Sequence, residues 1–154
     1  GQRTNSDMHF VFPDIDLALM FLARRITDKI GCDFRSLEDP SVLHYQPGQQ
    51  FRPHFDYLDP AIPAFAKSLE KQGQRVWTLL LYLNDGFQDG QTFFPRLDYR
   101  FKGSVGDAIL FRNVDAAGAP DPLTLHAGLS PTGGEKWLFS QWIRERPADH
   151  SSGK

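Results

Sequence analysis

Short apolar segments, bounded by Gly, Pro, Asn and Asp, run through most of the chain after its first 31 residues. They are rich in branched and aromatic side chains, as β-strands are. Nine strands are predicted, over residues 8–12, 41–46, 51–57, 75–83, 91–94, 99–101, 108–111, 123–127 and 135–144. Many short strands separated by tight turns are typical of a sandwich or barrel of jelly-roll type, which is the predicted fold.

The segment between the first two predicted strands has a different periodicity. Its apolar residues recur at spacings of three and four, which predicts an amphipathic helix; they are Ile15, Leu19, Leu22, Ile26 and Ile30. Asp14 is the expected N-cap and Gly31 the expected residue at the C-terminal end. The predicted architecture is therefore mainly β, with an N-terminal helix bracing a sheet.

Length and charge restrict the class of partner. The 154 residues suit one domain, expected over 1–146 with a trimmed N-terminus allowed, followed by a polar tail over 147–154 that we expect to be disordered. The formal net charge is −2 and there is no run of Lys or Arg, so no nucleic-acid partner is expected. No apolar run approaches the roughly 20 residues of a membrane span, and no signal peptide is recognisable. A cytoplasmic protein without a membrane partner is the prediction; the oligomeric state stays open.

Cys32 is the only cysteine in the sequence. A single cysteine excludes an internal disulfide and any Cys-rich zinc site. We expect Cys32 to fill a core position rather than to act as a nucleophile.

A His and an Asp lie two residues apart in the third predicted strand. Residues two apart on an extended chain point to the same face, so His54 and Asp56 can reach one metal ion. His126, on a later strand and beside a turn, is the candidate third ligand, and two imidazoles with one carboxylate leave positions open on ferrous iron. By itself a His-x-Asp tripeptide is weak evidence, because it also occurs in solvated turns. The connection over 59–74 follows directly; it has room for one or two helical turns and is expected either to cover the site or to be a plain surface excursion.

Lys136 begins the last predicted strand, of which both faces are largely apolar. Period two places it on one face with Leu138, Ser140 and Trp142. If that face points inward, the ammonium is buried, which is costly unless an anion such as a ligand carboxylate pairs with it. The alternative is a Lys whose ammonium reaches solvent at the strand end.

Further polar side chains lie on strands that can face the same cavity. Tyr45 and Thr78 are candidate hydroxyl donors. Arg75, Trp142 and Arg144 are candidates near the mouth of the cavity. For each of these residues taken alone, ordinary packing or surface placement is the simpler explanation.

Several motifs follow one another along the chain. The first is Tyr45-x-x-Gly48-x-x-Phe51-x-Pro53-His54-x-Asp56-Tyr57. After it come Arg75-x-x-Thr78-x-x-x-Tyr82-Leu83-Asn84-Asp85, Gly90-x-Thr92-x-Phe94-Pro95, Lys102-Gly103-x-x-Gly106-x-Ala108-x-x-Phe111, His126-Ala127-Gly128 and Gly134-x-Lys136-Trp137. Together these motifs resemble those of the prolyl 4-hydroxylase family of 2-oxoglutarate-dependent oxygenases. The resemblance covers nearly the whole chain, and the combination of motifs is what makes it specific.

The resemblance implies a double-stranded β-helix, which is a distorted jelly roll. It implies that His54, Asp56 and His126 bind Fe(II). It further implies that Lys136 pairs with the distal carboxylate of 2-oxoglutarate and that Tyr45 donates a hydrogen bond to the same carboxylate.

The resemblance also implies an activity. Thr78, Leu80 and Trp142 would line the cosubstrate pocket, O2 would be the second cosubstrate, and ascorbate is a candidate additional cofactor. The implied reaction is hydroxylation of a C–H bond, most simply of a prolyl residue in a protein or peptide, with succinate and CO2 as coproducts.

Three positions depart from the pattern of the family. Phe51 replaces a frequent Tyr, Arg144 stands where collagen-type members often have His, and Asp89-Gly90 replaces the usual Gly-Gly. None of them is expected to touch the metal or Lys136. Phe51 and Arg144 are expected, with Arg75, near the substrate, which puts a peptidyl-proline substrate in question; Arg144 either favours an acidic substrate or is an ordinary surface residue.

Two other functions stay open. One is hydroxylation of a free amino acid or another small metabolite. The other, from a different class, is a non-catalytic binding module that has kept the jelly-roll fold.

Overall fold

The computed structural model describes residues 3–11 and 16–149. In these ranges eleven β-strands, two α-helices and two 3-10 turns are present. They are β1 (Ser6–His9), α1 (Leu17–Ile30), a 3-10 turn (Phe34–Ser36), β2 (Ser41–Tyr45), β3 (Phe51–His54), α2 (Pro63–Gln72), β4 (Arg75–Tyr82), β5 (Gln88–Asp89), β6 (Thr92–Phe94), β7 (Tyr99–Phe101), β8 (Ala108–Arg112), a 3-10 turn (Pro122–Thr124), β9 (His126–Gly128), β10 (Pro131–Gly133) and β11 (Lys136–Arg144).

Helix α1 ends where its sequence predicts. Gly31 has φ of 77°, the left-handed conformation that Gly adopts without a steric penalty, and its N–H donates to Thr27 O. At the other end the side chain of Asp16 accepts a hydrogen bond from the Leu19 N–H at 3.0 Å and caps the helix. The predicted cap, Asp14, lies outside the described residues.

The larger sheet has the strand order β1-β2-β11-β4-β8, and its pairs are antiparallel. The long strand β11 lies in its middle and pairs Lys136 with Tyr45 of β2 and Trp142 with Thr78 of β4. One face packs on α1 through a core that contains Ile26. The residues of α1 that pack on this face include Leu19, Leu22, Ile26 and Ile30, which are part of the apolar side of the helix predicted from their spacing.

The smaller sheet has the order β3-β9-β6-β7, and β5 and β10 form a separate two-stranded ribbon. A second core, on the other face of the larger sheet, combines residues of both sheets and of the segment between β4 and β5: Leu43, Tyr45, Tyr82, Phe87 and Leu138, with Phe51 and Phe101 against them. The mainly β, jelly-roll prediction is confirmed.

The structure corrects several local predictions. The connection over 59–74 contains the ten-residue helix α2, with Pro63 at its first turn, where a proline is tolerated. Strands β5 and β10 lie in segments interpreted as turns. The strand predicted over 123–127 begins only at His126, because Asp121 accepts a hydrogen bond from the Leu123 N–H at 2.9 Å and starts a 3-10 turn instead.

The segment after β11 is described as far as Asp149. There the Ala148 N–H donates to Arg35 O at 2.8 Å, so the beginning of the predicted tail is attached to the body of the protein. Residues 150–154 lie outside the described part. Of the helices in that part, neither is long and apolar enough to cross a membrane.

Candidate metal and cosubstrate site

The three predicted metal ligands lie together at one end of the smaller sheet. His54 ends β3, His126 begins β9, and the two are direct partners in the antiparallel pairing. Asp56, two residues beyond His54, has one carboxylate oxygen 3.5 Å from Nε2 of His54 and the other 3.5 Å from Nε2 of His126. The three candidate ligand atoms all lie within 4.8 Å of one another. Asp56 and His126 are buried, whereas His54 is partly exposed.

Hydrogen bonds to the backbone fix the orientation of both imidazole rings. Nδ1 of His54 lies 2.8 Å from Arg52 O, and Nδ1 of His126 lies 2.9 Å from Thr124 O. A carbonyl only accepts, so Nδ1 carries a proton in each ring, and the neutral form of each ring has its lone pair on Nε2. This is the arrangement in which metal-binding histidines are usually held.

The electrostatics of the cluster favour the ionisation states that bind a metal. Burial alone raises the pKa of the Asp56 carboxyl, but His126, His54 and the Thr78 hydroxyl outweigh it and hold that pKa well below its ordinary value. Burial lowers the pKa of His126, although Asp56 opposes the change. An ionised carboxylate and a neutral imidazole result near neutral pH.

A buried hydrogen-bond chain supports Asp56 from behind. The Thr78 hydroxyl donates to Oδ2 of Asp56 at 2.7 Å, and Nδ2 of Asn113 donates to Thr78 Oγ1 at 2.8 Å. Thr78 was predicted to line the cosubstrate pocket; the structure instead places its hydroxyl on the candidate metal ligand. Sequence reasoning missed Asn113, which follows β8 and carries no motif of its own.

Lys136 is fully buried at the start of β11. Its ammonium donates to Gly90 O at 2.6 Å and lies 4.6 Å from the centroid of the Tyr45 ring. Burial lowers its pKa to about 7, and no acidic side chain in the described ranges offsets this effect. The Asp89-Gly90 segment contacts Lys136 through the carbonyl of Gly90, the glycine that the family pattern shares, whereas the side chain of the departing residue, Asp89, accepts from the Thr132 hydroxyl.

A small cavity of about 30 Å³ lies beside the triad, with room for about two water molecules. Three of the predicted cosubstrate residues line it, Tyr45, Leu80 and Trp142, but Lys136 does not. Nε1 of Trp142 is buried and has no hydrogen-bond partner within the described part of the chain. A buried indole N–H without a partner is a donor available to a ligand.

The three residues predicted near the substrate have different surroundings. The Phe51 ring stacks on the His54 ring, with centroids 3.6 Å apart, and lines the small cavity. The Arg75 guanidinium lies 3.7 Å from the centroid of the Trp142 ring. Arg144 is buried and donates to Glu38, Ser68 O and Gly73 O, so the expectation of an ordinary surface Arg is wrong.

The donor set fits ferrous iron. Two imidazole nitrogens and one ionised carboxylate approach from one side, which is the facial arrangement of non-haem iron(II) sites with open positions. A tetrahedral structural zinc site would use four protein ligands and leave none open. Among the described residues, His54, Asp56 and His126 are the one group of three His, Cys, Asp or Glu side chains close enough to share an ion.

Comparison with known proteins agrees with this geometry. The family model of the 2OG-Fe(II) oxygenase superfamily matches residues 40–144, which is more than half of the chain. The chain is 40% identical over 122 residues to a putative prolyl 4-hydroxylase of Acanthamoeba polyphaga mimivirus, covering 79% of the chain and 50% of that protein. It is 35% identical over 118 residues to prolyl 4-hydroxylase 1 of Arabidopsis thaliana, covering 68% of the chain and 40% of that protein. It therefore spans half or less of the length of these relatives.

A solved structure has the same fold. The viral collagen prolyl hydroxylase of Paramecium bursaria Chlorella virus-1, solved as a 2OG complex, superposes with a TM-score of 0.72 and 28% identity, covering 93% of this chain and 80% of that one. The chain belongs to the 2OG-Fe(II) oxygenase superfamily, and its similarity to the prolyl 4-hydroxylases within it is shown by sequence and by fold.

Proposed function

We propose that this chain is the catalytic part of an Fe(II)- and 2-oxoglutarate-dependent dioxygenase that hydroxylates a prolyl residue in a protein or peptide. The observation that carries the proposal is the orientation of His54 and His126, whose Nε2 atoms both face the buried Asp56 carboxylate at 3.5 Å. The similarity of the chain to several prolyl hydroxylases supports a prolyl substrate.

In this proposal His54, Asp56 and His126 hold the iron. When bound, Fe(II) supplies O2 binding and, with 2-oxoglutarate as reductant, the oxidising power for C–H hydroxylation, with succinate and CO2 as coproducts. The protein contributes a fixed set of ligands: Arg52 O and Thr124 O orient the rings, and Thr78 orients the carboxylate.

Lys136 and Tyr45 would hold the distal carboxylate of 2-oxoglutarate. The Lys136 ammonium is buried and has no acidic partner in the described residues, which costs folding free energy. The carboxylate of a bound ligand would pair with the ammonium and offset this cost. Because the cavity beside the triad holds about 30 Å³, side chains around it must move to admit a dicarboxylate. Exchange of the Gly90 carbonyl for the ligand carboxylate is the simplest such movement for Lys136.

Anaerobic addition of Fe(II) and 2-oxoglutarate to the protein tests this site. We expect a weak visible charge-transfer band that is lost in His54→Ala and weakened in Lys136→Ala. The matched controls are His44→Ala, since His44 pairs with exposed Glu135, and Lys102→Ala, since Lys102 also donates to a backbone carbonyl. Both controls should keep the band, and a parent protein without the band would refute the oxygenase proposal.

The substrate requires a second assay. Succinate release and a mass increase of one oxygen atom are measured, in the presence of ascorbate, with proline-containing peptides and with free proline. Hydroxylation of a peptide alone supports the proposal, whereas hydroxylation of free proline alone selects the small-metabolite alternative. A ferrous band without turnover of any added compound would favour the binding module. The single domain over 1–146, the absence of a nucleic-acid partner and the cytoplasmic location stay predictions.

A further inference from the structure

A largely buried ion cluster lies beside the candidate site, formed by one carboxylate and two guanidinium groups. Arg75 donates to Glu38 through Nε and Nη2, both at 2.8 Å, and Arg144 donates through Nη1 at 3.0 Å. The Arg144 side chain is 3% exposed, and those of Glu38 and Arg75 are each 19% exposed, so water screens these charges little. Sequence reasoning did not single out Glu38, which lies in the polar connection before β2.

Glu38 is attached firmly to the central strand. Its N–H donates to Trp142 O at 3.0 Å, and its carbonyl accepts from Nε2 of Gln141. Leu37, the preceding residue, forms an antiparallel bridge with Ile143. The backbone of Glu38 is thus fixed relative to β11 independently of its carboxylate.

Arg75 connects this carboxylate to the candidate site. Its guanidinium lies 3.7 Å from the centroid of the Trp142 ring, and its Nη1 lies 3.4 Å from Asp56 O. Trp142 lines the small cavity beside the triad, and Asp56 is a candidate metal ligand. The long side chain of Arg75 can adopt many rotamers, and two parallel bonds to one carboxylate select a single orientation of its planar fork.

We propose that Glu38 is a positioning residue, which holds Arg75 against the Trp142 ring and the Asp56 carbonyl and thereby fixes the wall of the cosubstrate cavity. The catalytic part of this inference rests on the proposed function. Arg144 has a different task in the cluster: it donates to Ser68 O and Gly73 O and so secures the end of α2. A cluster that served only α2 would not affect the position of Trp142.

The indole resonances of the metal-free protein test the positioning directly. The chain has three Trp residues, and variants Trp77→Phe and Trp137→Phe identify the Trp142 N–H signal in a ¹H–¹⁵N spectrum. In Glu38→Gln, which keeps the size of the side chain and removes its charge, we expect the Trp142 signal to shift and the other two to stay. The matched control is Asp28→Asn, which breaks an equally short pair of 2.8 Å with exposed Arg24. That control should move none of the three signals.

Peptide hydroxylation provides the second readout. Glu38→Gln should lower kcat/KM for the peptide by roughly 10-fold, the lower end of what loss of a supporting group beyond the ligands costs, while Asp28→Asn should retain the parent value. An unchanged Trp142 signal, a shift of all three signals together, or full activity despite a shifted Trp142 signal would each overturn the inference. If the parent protein hydroxylates nothing, the proposed function fails, and the indole spectrum alone decides whether Glu38 positions Trp142. Should Glu38→Gln not fold, Arg75→Lys, which keeps the charge and loses the fork, carries the same expectations.

Discussion

Replacing Lys136 by Met should make the metal-free protein more stable while weakening its affinity for 2-oxoglutarate. Met has nearly the length of Lys and no charge, so it fills the same space in the core. Lys136 is fully buried, and its ammonium has the Gly90 carbonyl as a partner at 2.6 Å but no anion within the described residues. A buried cation of this kind costs folding free energy that a ligand would recover.

The size of the expected change in the free energy of unfolding follows from the pKa of Lys136. Burial lowers the pKa of Lys136 from the ordinary 10.5 to about 7. Since a difference of one pKa unit corresponds to about 1.4 kcal/mol, keeping this side chain in the core costs about 4 kcal/mol near pH 7.5. The Met variant leaves the Gly90 carbonyl unpaired, which costs about 1–3 kcal/mol. The expected net gain is therefore about 2 kcal/mol, or about 4–8 °C in Tm for a chain of this size.

The pH dependence gives the sign of the effect independently. Between pH 7 and 10.5 the unfolded parent holds the Lys proton and the folded parent has released it, so the parent becomes more stable as pH rises through this window. Near pH 10 the cost of burying Lys136 has fallen below about 1 kcal/mol. There the unpaired carbonyl should make the Lys136→Met variant the less stable of the two proteins.

Urea unfolding followed by circular dichroism at pH 7.5 and pH 10, on parent and variant, measures both effects. The Tm of the parent should also rise on addition of 2-oxoglutarate with Mn(II) as a redox-inert substitute for iron, and the Tm of the variant should rise less. A variant that is less stable than the parent by the same amount at both pH values would refute the reasoning, because burial of the ammonium would then have no measurable cost.

Three further predictions concern Thr78, Gly128 and Cys32. Thr78→Val removes the donor to Oδ2 of Asp56 and should weaken Fe(II) binding about 10-fold in an anaerobic titration; unchanged affinity would show that this hydrogen bond does not support the ligand. Gly128→Ala would put a Cβ 2.7 Å from the Tyr45 hydroxyl, so a loss of about 1–3 kcal/mol in the free energy of unfolding is expected, and a parent-like denaturation curve would contradict it. Burial raises the pKa of the Cys32 thiol, so iodoacetamide should alkylate the folded protein at neutral pH more slowly than free cysteine, as mass spectrometry will show.

Regular elements with strong periodicity were predictable from the sequence. The helix stripe, the end of α1 at Gly31 and the long strands β4 and β11 all follow from spacing and turn residues. The short strands β5 and β10 were not predictable, because two or three residues carry no period and pair only where the fold brings them together. Helix α2 was allowed for only as one or two turns, because none of its residues is fully buried and its partly buried side has just two large apolar residues, Phe65 and Leu69.

In the candidate site, too, some features were predictable from the sequence and others were not. The spacing of His54 and Asp56 and the later His126 made these residues candidate ligands, the resemblance to a known family strengthened that prediction, and the structure brings the three together. Thr78 was a candidate hydroxyl donor, but only the crossing of β4 behind Asp56 shows that its hydroxyl donates to this carboxylate. Glu38 was overlooked, because a carboxylate in a polar connection is ordinary until two guanidinium groups are found on it.

Residue types and their spacing along the chain predicted the class of fold, the three candidate iron ligands and an unusual Lys on an apolar strand. These features depend on residue type and on spacing along one strand, which local geometry fixes. The complete burial of Lys136, its hydrogen bond to Gly90 O and the ion cluster of Arg144 with Glu38 are visible only in the folded chain. The two contacts join residues that are 46 and 106 positions apart in the chain. The partner of a buried charged residue therefore depends on how strands and connections cross in space, not on the residues next to it in the sequence.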